Sequence, residues 1–455
     1  MARPFSQIGY RNKRISGKAA TGLILLLIFL SHPLAAQDNN QVVPPLKWDL
    51  QACLDYAMKN NIQLNSLRLS KKTGEQDLLL SKAARLPNLT GSATQNIAGA
   101  RNAELAYGVH PSGSYSLNSN VTLFNGGYLT NDIKQKQLTV QVLDLNVAQQ
   151  INDITLLVTE AYLSILLAKE NIVYVKDVVS TAEAQVLRAQ QQFEVGSIAR
   201  KDLAELQAQL ANEKYLLVTA ENSQRQNTLT LKQLLQLPTD TAFEIVAPDT
   251  LMGIGLLTPV QEAQKVALDT RPEVKSGELG VQVAALDLAK ARAGYLPTLS
   301  AGGILSTSYQ KDPDYTYFKQ LDNNFYQQIG LTLSVPIFTR RVNKTNVEKS
   351  KIEIDQSRLA LQNTKTNLSQ IVEQAYINVV NAQGQYDAAV EQFKFVQESY
   401  RIATEQLNVG VANMVEYLQQ KNLYIQALQA YIQAKYNAAL NIRIYDFYRG
   451  VPVKL

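Results

Sequence analysis

The sequence predicts a mainly α chain with a membrane β-barrel portion: very long coiled-coil helices joined to four strands, each with one apolar and one polar face. Three observations predict it. The chain contains itself twice, since QDLLLSKAARLPNL, ending at Leu89, returns as LDLAKARAGYLPTL, ending at Leu299. An apolar seam at strict three-four spacing runs from Ile151 to Phe193, and another from Leu368 to Leu407. Ahead of each seam, after a Leu-Pro junction, the hydrophobic period drops from the helical value to two.

The first element is a candidate secretory leader, residues 1–36. Arg3, Arg11, Lys13, Arg14 and Lys18 precede an apolar run from Ala19 to Leu30, and SHPLAA offers small residues for cleavage near Ala36. That run is too short for a membrane anchor, and no later run reads as long enough to span as a helix. Cys53 is the only cysteine and lies well past the cleavage region, which excludes an intramolecular disulfide and speaks against a lipidated mature N-terminus.

Two repeats follow, residues 37–240 and 258–455, around a connector at 241–257 with some strand character. Trp48 to Arg85, and Thr258 to Tyr295 in the second repeat, read as helix. Each ends at Leu-Pro, because the residue before a proline is pushed out of the helical region. Weaker strands begin at Asn88 and Thr298. Stronger ones follow, where Tyr115, Leu117, Val121 and Leu123 alternate with Ser116, Asn118, Asn120 and Thr122, and where Ile329, Leu331, Leu333, Val335 and Ile337 alternate with Gly330, Thr332 and Ser334. Between them, NAELAYGVHPSG and YQKDPDYTYFKQLDN read as exposed loops. FNGGYLT, Phe124 to Thr130, returns the first repeat to helix. Its seam then implies a helix of about 60 residues, roughly 90 to 100 Å long. FEVGS and LNVGV end the two seams, each at a Val-Gly turn followed at once by a further helix.

Four amphipathic strands cannot lie open in hydrocarbon, because their edges would leave amides unpaired. They must close with strands of other chains. Two chains give a barrel of about 8 strands that side chains nearly fill, whereas three give about 12 and leave a lumen, so a pore favours a homotrimer or larger assembly in the lipid bilayer. The polar positions are Ser, Thr, Asn, Gln and Gly, as suits a water-filled wall of weak ion preference.

Other function classes find little support. A net charge of +5 and the absence of a basic, aromatic-interleaved stripe argue against nucleic acid. Past the leader the only histidine is His110, read as lying in a loop, so neither a metal cluster nor a histidine-based triad has its parts. No phosphate-binding glycine loop is present, and no cofactor, metal site or catalytic residue is expected. The competing reading is a periplasmic coiled-coil scaffold or adaptor-like protein without a pore. A scaffold would lack the period-two strands, and an adaptor would split a barrel or lipoyl-like domain around its hairpin.

Taken in order, these residues resemble the TolC-like outer-membrane efflux proteins. The resemblance covers nearly all of the chain past the leader. It is carried by the Leu-Pro junctions at Pro87 and Pro297, the Leu-Phe strand end with Asn125-Gly126-Gly127, and the Val-Gly turns at Gly196 and Gly410. The second repeat departs from the pattern, with Thr339-Arg340-Arg341 where the glycines would stand. The resemblance implies a trimer with a 12-stranded barrel in the outer membrane of a Gram-negative bacterium and a 12-helix α-barrel crossing the periplasm. It also implies docking to a periplasmic adaptor (membrane fusion protein) and an inner-membrane transporter. Val195, Gly196, Ser197, Val409, Gly410 and Val411 would then be adaptor-docking tips, and Glu416 would match an acidic position at the periplasmic aperture. Gln419 stands where a second acidic residue is expected and Ala412 where a basic one is, so Asn413, or Arg200 and Asp202 of the other tip, would supply the closing contacts.

Overall fold

The computed structural model describes residues 47–102, 105–238, 240–248, 257–312 and 314–453. The candidate leader lies outside them. Helices α1 (Leu50–Asn60) and α2 (Ile62–Ala83) lead to strands β1 (Asn88–Asn102) and β2 (Leu105–Asn125), then to α3 (Tyr128–Glu194) and the return helix α4 (Arg200–Leu235). The second half runs α5 (Val260–Thr270), α6 (Pro272–Ala293), β3 (Thr298–Gln310), α7 (Tyr317–Asn323), β4 (Tyr326–Ser334), α8 (Val342–Asn408) and the return helix α9 (Met414–Tyr448). Both α3 and α8 have 67 residues, the length their uninterrupted seams require.

Several sequence expectations need correction. Trp48 to Arg85 is two helices, because Asn61 is extended at φ −60°, ψ 123° and its side chain caps Leu64 N at 3.0 Å. Arg271 makes the matching break, held extended by Pro272 and fixed by its guanidinium, which donates to Phe447 O at 2.8 Å and lies 3.8 Å from the Phe447 ring centroid. The span read as a loop before Gly113 is strand, and His110 pairs with Ala98 within it. The second such loop contains α7. β4 stops at Ser334, so Val335 and Ile337 are not strand residues; Pro336 has no amide hydrogen to give the ladder. One 18-residue window in α3 is apolar enough to cross a membrane by length and composition, but half of it is buried inside this chain.

The seams do what their spacing predicts. Ile154, Val158, Ala161, Ile165, Ala168, Ile172, Val175, Val179 and Ala182 are all buried on α3, whereas Phe193, next to the turn, is 39% exposed. The main core joins α1 to the middle of α3, with Trp48, Leu54, Val158, Tyr162 and Leu235 buried. Trp48 also pairs with Ile245 of the connector; residues 249–256 of that connector lie outside the described residues. Its counterpart packs Ala263 and Ala267 of α5 against Leu368, Val372 and Ala375 of α8. Cys53 belongs to the first core, where burial, with the Asp49 carboxylate nearby, pushes its thiol up to about 12. It is a packing residue, not a nucleophile.

The four strands form one antiparallel sheet in the order β1-β2-β3-β4. Beneath it the helices stand in the order α2, α3, α6, α8, and towards the turns in the order α4, α3, α9, α8. Edge helices keep apolar residues exposed at seven-residue spacing: Ile62 and Leu69 on α2, and Ile352 and Leu359, then Phe395 and Ile402, on α8. Such stripes are seams without a partner.

A polar network ties α2, α3 and α6 together below the sheet. Lys290 Nζ lies 3.2 Å from Asp132, 2.9 Å from Asp287 and 2.7 Å from Gln135 Oε1, and Ser81 donates to Asp132 at 2.5 Å. Burial alone would raise the Asp132 carboxyl, but the Ser81 hydroxyl and Lys290 ammonium outweigh it and hold it below the usual range. Both exits from sheet to helix use two left-handed residues in succession, Gly126 and Gly127 in one repeat and Arg340 and Arg341 in the other. At Gly126 packing enforces glycine, since a Cβ would stand 2.8 Å from Leu296 Cβ and 3.0 Å from Ala293 O.

Candidate functional site

Two surfaces are candidates, the sheet wall and the helix turns at the far end. Residues directly opposite in an antiparallel ladder share a face and alternate along each strand. The observed register therefore sorts the wall. Leu117 faces Leu305, Ala301 faces Leu331, and Leu299 faces Leu333, which places Leu89, Ile97, Val121 and Ile329 on the same apolar side. The other side pairs Thr90 with Asn118, Ser92 with Ser116, Ser116 with Ser306 and Ser300 with Thr332. Ser92 and Ser116 touch at 2.7 Å. A bulge between Thr122 and Phe124 puts Phe124 rather than Leu123 opposite Leu299, which corrects the simple alternation at that point.

Aromatic residues mark both ends of the apolar face. Phe124, Tyr128, Tyr295 and Phe338 are exposed at the helix junction, while Tyr115, Tyr309 and Tyr317 cluster at the other end, with the hydroxyls of Tyr115 and Tyr317 3.0 Å apart. From Leu299 to Tyr309 the strand climbs roughly 34 Å, or about 24 Å at the tilt of a closed barrel, close to the height of an outer-membrane apolar band. Both sheet edges, β1 and β4, carry no further strand among the described residues.

At the far end the two turns are built alike. Gly196 N donates to Phe193 O at 2.9 Å and Ser197 N to Gln192 O at 2.7 Å; Gly410 N donates to Leu407 O at 3.1 Å and Val411 N to Gln406 O at 2.9 Å. These are Schellman closures, with the glycines at φ 76° and 79°. A Cβ at either glycine would meet nothing within 4 Å, so the left-handed backbone alone requires glycine. Val195, Val409 and Val411 are each about three-quarters exposed, at 77%, 74% and 76%, and Ser197 is exposed beside them.

The expected aperture residues separate into different roles. Asn413 caps α9, its Oδ1 accepting from Glu416 N at 2.9 Å. Glu416 and Gln419 are exposed on the first turns of α9. Asp202 is half-buried in the first turn of α4, where a carboxylate complements the helix dipole, and Arg200 is exposed beside it.

Behind the turns lies a layer that the sequence reading missed. Tyr417, fully buried, accepts from Gln185 of α3 and meets Tyr400 of α8 at 3.1 Å; burial pushes its phenol up. Lys421 of α9 and Glu213 of α4 form an ion pair at 2.8 Å with side chains only 2% and 1% exposed. Among the described residues Lys421 Nζ and Glu213 Oε2 have no hydrogen-bond partner, while Gln209 donates to Glu213 Oε1 at 3.1 Å. A signal for Lys421 did exist: Tyr417, Lys421, Tyr424, Leu428 and Tyr431 keep three-four spacing, with a lysine inside an otherwise apolar seam. Among the described residues no group of three His, Cys, Asp or Glu side chains is placed to hold a metal ion.

The family model described as outer membrane efflux protein matches residues 53–236 and 264–442. The outer membrane efflux protein BepC of Brucella suis biovar 1 is 21% identical over 397 residues, 86% of this chain and 83% of that protein. The outer membrane protein TolC of Vibrio cholerae is 23% identical over 406 residues, covering 87% and 89%. Among solved structures, the CmeC outer membrane channel of Campylobacter jejuni superposes with a TM-score of 0.77 at 19% identity, over 88% of this chain and 85% of that one. VceC of Vibrio cholerae gives 0.75 at 14% identity, over 88% and 96%.

Proposed function

Because the chain belongs to the outer membrane efflux protein family, we propose that it is the outer-membrane channel-tunnel of a multipart efflux or secretion system. It passively conducts small molecules or proteins from an inner-membrane transporter and a periplasmic adaptor to the exterior. The observation that carries this reading is the sheet, with one apolar face, one polar face and two open edges. Three copies joined edge to edge give 12 strands around a polar lumen, and the exposed stripes on α2 and α8 meet between neighbours to continue the tube as helices. The leader directs export, and the mature protein is held by its barrel rather than by a lipid.

Cysteine labelling along β4 tests the wall. In a Cys53→Ala background, cysteines at Thr332 and Gly330 are expected to react with a small water-soluble thiol reagent admitted through the lumen. Those at Leu331 and Leu333 are expected to be shielded by lipid. Uniform reactivity along the strand would mean that no face of it meets a bilayer.

Docking lies at the two turns, where Val195, Gly196 and Ser197, with Val409, Gly410 and Val411, are displayed. Gly196→Val or Gly410→Val is expected to strain a left-handed residue by about 1–2 kcal/mol. That is too little to unfold helices of this length but enough to shift the exposed valines, so crosslinking to the adaptor should fall while trimer yield stays normal. Undiminished crosslinking in both variants would reduce the turns to plain connections. Glu416, with Gln419 and Asp202 nearby in the helix starts, lines the aperture; Glu416→Gln should leave docking intact and weaken cation preference in planar bilayers.

A further inference from the structure

The turn from β4 into α8 performs the task of Asn125-Gly126-Gly127 with charged residues, and the channel reading leaves their chemistry unused. Arg340 and Arg341 adopt φ 46° and 69°, where glycine would be unstrained. Arg340, Arg341 and Lys344 are exposed, and among the described residues none of them makes an ion pair or a side-chain hydrogen bond. Glu348 feels Lys344 and Arg341, but it is held by Lys351 at 2.9 Å.

Directly before the arginines, Ile337 and Phe338 are 94% and 83% exposed. Two large apolar side chains standing so far out are unsuited to water but suited to the border of hydrocarbon. Asn343 donates to Gly294 O, which fixes the turn against the end of α6, where Tyr295 and Leu296 are also exposed. Leu331 and Leu333 lie on the apolar face just above. From sheet to helix the order is thus hydrocarbon-facing leucines, an apolar pair, then a cationic cluster. Adjacent guanidinium groups match the oxygens of a phosphate, and their stems can lie along apolar surface.

We propose that Ile337 and Phe338 insert at the bilayer border while Arg340, Arg341 and Lys344 bind the phosphate groups of anionic phospholipids in the periplasmic leaflet. The first repeat, whose own turn is uncharged, lacks this site. The inference rests on the reading of the sheet as a barrel wall.

The test uses the full-length protein with Phe338→Trp, read over the constant background of its single native tryptophan, Trp48. Reconstituted in phosphatidylcholine bilayers, the introduced tryptophan should be quenched by brominated phosphatidylcholine and more strongly by brominated phosphatidylglycerol. The relative association constant for phosphatidylglycerol should fall about 30-fold in Arg340→Gly/Arg341→Gly, the worth of two arginine charges at an anionic surface. The glycines suit the turn, so the variant should still fold. Equal quenching by both lipids, unchanged by the glycines, would overturn headgroup binding while leaving the barrel in place. Absence of quenching by either lipid would remove the segment from the bilayer and count against the barrel reading itself. Loss of the phosphatidylglycerol preference on adding inorganic phosphate would assign the arginines to a soluble anion and overturn the lipid assignment.

Discussion

Lys421→Met is expected to destabilise the protein by about 3–5 kcal/mol, because it leaves the Glu213 carboxylate buried without its cation. The methionine fills much of the lysine's volume, so little of that loss comes from a cavity. Helices α4 and α9 scarcely pack on one another otherwise, so the pair, with Gln209 donating to Asn422 Oδ1 at 3.3 Å, links them behind the turns. Replacing both partners, Lys421→Met with Glu213→Leu, should recover most of the stability, since the desolvation cost of both charges disappears together. Denaturant unfolding in detergent, followed by helical circular dichroism, reads both effects. A single variant as stable as the parent protein would mean that the pair is hydrated rather than buried.

Leu331→Arg should have an effect of similar size by a different route. Leu331 stands on the apolar face opposite Ala301 and is 70% exposed in the single chain, so in the proposed barrel lipid covers it. An arginine on the lipid face of a barrel costs about 2–4 kcal/mol near the midplane, and the proposed trimer would repeat the cost in every copy. The expected outcome is loss of the protein from the outer-membrane fraction. Thr332→Arg, one residue along and on the opposite face, should insert normally and change only conductance. Equal yields of the two variants would contradict the assignment of faces.

What could be read from the sequence divides along physical lines. The seams were legible because a coiled-coil pattern is local: Val158, Ala161 and Ile165 announce their burial by spacing alone. The Val-Gly turns were legible for the same reason, since a helix stop needs only a residue that tolerates the left-handed region. The break at Asn61 was hidden, because the apolar period runs through it and only the cap to Leu64 reveals the stop. The start of β2 was also hidden, its turn-rich composition being overruled by hydrogen bonds to β1. The layer behind the tips needed three helices at once, and no periodicity within α9 could say that Lys421 would meet Glu213.

Closure of the four-stranded sheet by other copies of the same chain is tested most directly by the mass of the detergent-solubilised protein. With a chain of 50.5 kDa including the candidate leader, light scattering corrected for bound detergent should return three mature chains per particle. A monodisperse particle of one chain, stable in water without detergent, would contradict closure, because both sheet edges and the exposed stripes of α2 and α8 would then have no partner.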